Sequence, residues 1–65
     1  MNTELKVVAD CPGDTAEEAY ALALATRDAI PFDVYYSSIT LSTVFTKEDG
    51  ELVTSWVATL TAQNL

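Results

Sequence analysis
Histidine is absent from these 65 residues, cysteine occurs once, and only three side chains are basic. Each scarcity removes a class of function. Without histidine the common zinc ligand sets cannot be assembled, and Cys11 has no imidazole to activate it. A lone cysteine also excludes an intrachain disulfide. Lys6, Arg27 and Lys47 fall in three different predicted elements, and ten acids bring the net charge to −7. Direct binding to nucleic acid, which needs Lys or Arg against phosphate, is therefore not expected. No stretch approaches the length of an apolar membrane span, and the opening MNTELKV lacks a basic region followed by an apolar one. The expectation is a soluble, cytoplasmic protein that is not an enzyme and has no direct nucleic-acid or membrane partner.

Sixty-five residues make one domain, 1–65. A chain this short buries a modest share of its surface and commonly draws on disulfides, metals or partners for support. With the first two missing, a homo-oligomer is the remaining support.

Charge is also missing locally, from Val34 to Phe45 and again from Leu52 to the end. These two runs read as a long hairpin between Asp33 and Asn64. VYYSSITLSTVFT is rich in β-branched and aromatic residues, which suit a pleated surface, and LVTSWVATLTAQ returns after Asp49-Gly50. A three-residue loop would pair Lys47 with Glu51. A four-residue loop, Lys47 to Gly50, would pair Thr46 with Glu51 and Leu41 with Trp56. A one-residue slip turns a strand over, and the apolar pattern favours the four-residue loop. One face then carries Tyr35, Ile39, Leu41, Phe45, Leu52, Trp56, Ala58 and Leu60. The other carries Tyr36, Ser38, Thr40, Ser42, Val44, Val53, Ser55 and Thr59, with no Lys or Glu to deter added strands. These eight residues are the candidate subunit interface.

Ahead of the hairpin, Thr3 to Asp10 alternates well enough for a strand, which Cys11-Pro12-Gly13-Asp14 is expected to break. Thr15-Ala16-Glu17-Glu18 fits a capping box, in which hydroxyl and carboxylate satisfy free backbone N–H groups. The helix it starts, AEEAYALALATRDAI, ends before Pro31. Ala16, Ala19, Ala23, Thr26 and Ile30 share one face. Such a narrow stripe lets the helix axis lie close to a sheet. The order is β-α-β-β, an α+β fold with a three-stranded antiparallel sheet in the order 1-3-2.

Little catalytic chemistry is visible. Asp14 opposes a thiolate at Cys11, which reads as a small buried residue. Asp10 and Asp14 fall well short of a calcium shell. Tyr35 and Tyr36, on opposite faces of a strand, would send one ring inward and one outward, where it could stack on a planar ligand or a neighbouring subunit.

Three features together resemble the dodecin family of small flavin-binding proteins: Lys6-Val7-Val8, the Gly13-Asp14-Thr15 lead-in to an Ala-rich helix, and the long hairpin with its Glu48-Asp49-Gly50 turn. The resemblance spans roughly Leu5 to Thr61. It implies a β-α-β-β fold whose sheet wraps one helix, assembly into hollow dodecamers, and a flavin (FMN, FAD or riboflavin). In the family, a Trp at the start of the second strand stacks on the flavin, a place filled here by Tyr35 or Tyr36. A Gln on the third strand touches the flavin edge, where Ser55 or Val57 stands in this chain. The hairpin is also a few residues longer than is usual. Two functional expectations follow: a self-assembling, non-enzymatic protein holding a planar ligand at subunit interfaces, or a small acidic inhibitor or adaptor of the kind phages direct at host proteins.

Overall fold
The computed structural model describes residues 3–65. Strand β1 (Lys6–Gly13) leads to helix α1 (Ala16–Asp28), and β2 (Tyr36–Glu48) and β3 (Glu51–Gln63) form the hairpin. The sheet is antiparallel with β3 in the middle, in the order β1-β3-β2. The expected α+β, β-α-β-β architecture is therefore present.

The helix starts where its cap dictates. Glu18 N–H donates to Thr15 Oγ1 at 3.1 Å, and Asp14 N–H donates to Glu18 Oε2 at 3.1 Å. The carboxylate thus reaches one residue further back than in the usual capping box. Ala19 and Ala23 are buried and face Cys11, Ala58 and Leu60. Leu60 is the largest side chain that is wholly enclosed. So thin a core follows from the alanine stripe, which trades side-chain volume for a close approach of helix and sheet.

Two expectations about β1 are corrected. It begins at Lys6, not Thr3, and it runs through Cys11-Pro12-Gly13 to end at Gly13. Asn64 ties down the residues before Lys6, its own N–H donating to Leu5 O at 3.2 Å. Its side chain accepts from Leu5 N–H at 2.7 Å and donates to Thr3 O at 2.9 Å. Pro12 does not break the strand because β1 is an edge strand, and proline is tolerated where its missing N–H would face away from the sheet. Gly13 is required by the helix above it. A Cβ there would lie 2.5 Å from the backbone nitrogen of Ala19.

The hairpin register is also corrected. Glu48 pairs with Glu51, so the loop is Asp49-Gly50 alone, two residues and not four. Asp49 has φ 50° and Gly50 φ 80°. Positive φ at both positions marks the type I′ turn, whose twist matches that of the flanking strands. Each expected pair moves by two residues: Leu41 meets Ala58, Thr43 meets Trp56 and Thr40 meets Thr59. A shift of two, unlike a shift of one, leaves every side chain on its assigned face.

The strands of the hairpin have 13 residues each, whereas β1 has 8 and pairs only with Trp56–Gln63. The turn end therefore projects beyond β1 and α1 as a two-stranded arm. The chain measures 55 × 17 × 14 Å, with a radius of gyration of 14.4 Å. A compact chain of this length would have about 11 Å.

Candidate functional site
The eight candidate interface residues lie on one face of the hairpin, the face turned away from the helix. Tyr36, Ser38, Thr40, Ser42 and Val44 occupy alternate positions of β2, and Val53, Ser55 and Thr59 alternate positions of β3. Opposite them, Ile39, Leu60 and Trp56 belong to or pack on the core. Thr59 donates its hydroxyl to Asp10 Oδ1 at 3.0 Å. That bond engages the one carboxylate β1 brings to this face.

The four candidate ligand residues are not gathered within one chain. Tyr36 pairs with Gln63, while Val57 pairs with Ser42 and Ser55 with Val44. At about 3.3 Å per residue, Ser55 lies roughly 27 Å along the sheet from Tyr36. Tyr35 and Tyr36 are 81% and 52% exposed, so the expectation that one of them enters the core is corrected. The helix packs chiefly on β1 and β3, and Tyr35 lies in a bend before β2, where Ser37, Ser38 and Ile39 are half-buried. Tyr35 is held through its backbone, its N–H donating to Gln63 O at 2.8 Å.

Cys11 is buried, with Sγ 3.7 Å from the hydroxyl of Thr26. That hydroxyl donates to Leu22 O at 2.8 Å, which leaves its lone pairs free to accept from the thiol. Burial and this contact give Cys11 a packing role. Among the described residues no cluster of three or more Cys, Asp or Glu could hold a metal, and no cavity forms. Among the described residues, no helix is long and apolar enough to cross a membrane.

The backbone of β2 supplies what the side chains do not. A type I′ turn makes Glu48 and Glu51 a hydrogen-bonded pair, and bonded and non-bonded pairs then alternate along the hairpin. Even-numbered residues of β2 therefore bond to β3. Ser37, Ile39, Leu41, Thr43 and Phe45 turn their N–H and C=O groups to the open edge. Sequence reasoning missed this row because it followed side-chain faces alone; the shift of two residues leaves the row's parity unchanged. Asp49-Gly50, the strongest two-residue turn signal, could have revealed it.

The arm leaves large apolar groups in water on the helix side of the sheet. Phe45 is 63% exposed and Leu52 70%. No family model, curated protein or solved structure matches this chain.

Proposed function
We propose that this chain is a self-assembling, non-enzymatic binding protein of the dodecin kind, which holds a flavin or another planar ligand where subunits meet. The observation that carries the reading is the β2 side of the hairpin: a long edge strand, uncharged from Tyr36 to Thr46, with exposed aromatic and aliphatic groups on a chain of net charge −7. Solvated sheet surfaces and edges normally carry charges, prolines or bulges that discourage association. Here the acids lie before and on β1, at and on the helix, ahead of β2 and at the hairpin tip, and the middle of β2 has none.

The β-α-β-β order agrees with the layout that the resemblance implies. Scattered ligand residues on an open surface fit a site completed by a second copy. Tyr36 offers an exposed ring for stacking, and Ser55 and Val57 offer a hydroxyl and an apolar wall.

Light scattering on a sizing column, with an absorbance scan of the same peak, tests this reading. The expected result is a mass several times 7.0 kDa, with flavin absorbance if the ligand is a flavin. A large colourless particle would keep the assembly and remove flavin. A monomer retaining its fold would overturn the reading in favour of an acidic inhibitor or adaptor.

A further inference from the structure
The two edges of the sheet differ in every property that governs strand addition. On β1 the free edge is short, is interrupted by Pro12, and carries Lys6 and Asp10. On β2 the free edge is 13 residues long, contains no proline or glycine, and has no charge before Lys47. Long, flat, uncharged edges template pairing with another chain.

We propose that two copies of this chain join through β2, antiparallel, about a two-fold axis at Thr40, to form a continuous six-stranded sheet. This rests on the self-assembly reading above and specifies its interface. The register follows from the side chains. With Thr40 opposite itself, Ile39 meets the partner's Leu41, Ser38 meets the partner's Ser42, and Ser37 meets the partner's Thr43. Tyr36 falls opposite the partner's Val44. Within the strand apolar meets apolar and hydroxyl meets hydroxyl.

Neighbouring registers lose this match. An axis at Leu41 sets Ser37 against the partner's Phe45 and Ser38 against the partner's Val44. An axis at Ile39 sets Ser37 against the partner's Leu41 and Tyr36 against the partner's Ser42. Of the three, the Thr40 axis alone keeps apolar with apolar and hydroxyl with hydroxyl from Tyr36 to Val44. It also satisfies the outward backbone groups from Ser37 to Thr43, since odd-numbered residues meet odd-numbered residues. Both helices then lie on the same side of the sheet.

The pairing completes the ligand residues that one chain separates. The partner's Val44 pairs with the partner's Ser55, so Tyr36 of one copy lies two strands from Ser55 of the other, about 10 Å at ordinary strand spacing. The two-fold creates two such places on the face turned away from the helices.

Thr40→Cys tests the pairing. Flanked by hydrogen-bonded pairs, position 40 and its symmetry mate form a non-hydrogen-bonded pair with Cα atoms about 4.5 Å apart, within disulfide range. Under diamide, Thr40→Cys should convert most of the protein to a cross-linked dimer. Ser38→Cys and Ser42→Cys should each stay uncross-linked alone and cross-link when mixed. Val8→Cys, exposed on the other edge, reports collisional coupling and should remain a monomer on a non-reducing gel.

A Thr40→Cys protein that assembles by light scattering yet fails to cross-link would overturn the β2 interface and leave self-assembly standing. A folded wild-type chain of monomer mass would remove both. Cross-linking of Leu41→Cys alone in place of Thr40→Cys would refute the register.

Discussion
Both strands bordering this small sheet hydrogen-bond to the same central strand, yet they meet solvent differently. β1 ends its exposed row with a proline and alternates charge along it; β2 offers a longer row with neither. Fold stability does not account for the difference, because either edge bonds to β3 through its other set of backbone groups. The contrast teaches that a strand can be complete within its own chain and still be prepared for a second one. On the proposed pairing, the arm of this 55 Å molecule would draw from a second copy the contacts that a thin core built on alanines does not supply.

The sharpest way to break the contrast is proline, which removes an outward N–H without costing the hairpin a bond. Leu41→Pro on β2 should abolish assembly and leave a folded monomer, read by light scattering and circular dichroism. Val8→Pro, its counterpart on β1, should leave particle mass unchanged. Equal effects from the two would erase the distinction between the edges.

Gly50→Ala perturbs the turn that decides which residues face outward. Nothing lies within 4 Å of an added Cβ, so the cost is the positive φ alone, about 1–2 kcal/mol of stability in a denaturant titration. Thr40→Lys places like charges opposite each other at the two-fold and should weaken pairing by up to about 1 kcal/mol, lost again at high salt. Val8→Lys should do nothing to assembly.

Much of the architecture is legible in the residues. Thr15 with Glu18 marks the start of the helix, the Ala19 and Ala23 stripe marks its buried face, and period-two alternation separates the faces of the hairpin. What failed did so for identifiable reasons. Pro12 and Gly13 read as a break because their local preferences are those of a turn. In the fold, the proline sits on an edge and the glycine under a helix backbone. The loop was read two residues too long because the apolar pattern cannot distinguish registers that differ by two. Only the paired left-handed conformations of Asp49 and Gly50 do so. The tyrosines were divided between core and surface by parity, which holds only inside a strand, and Tyr35 precedes β2. Of the candidate site, the uncharged face was legible, while the backbone row was missed because side-chain patterns alone were followed.

Amide hydrogen exchange resolved by residue tests the central claim most directly, because it compares the two edges in one sample. The account predicts slow exchange at Ile39, Leu41 and Thr43, becoming faster on dilution, and rapid exchange at Val8 and Asp10 at every concentration. Exchange at Ile39 and Leu41 as fast as at Val8, in a protein whose β3 amides remain protected, would contradict it.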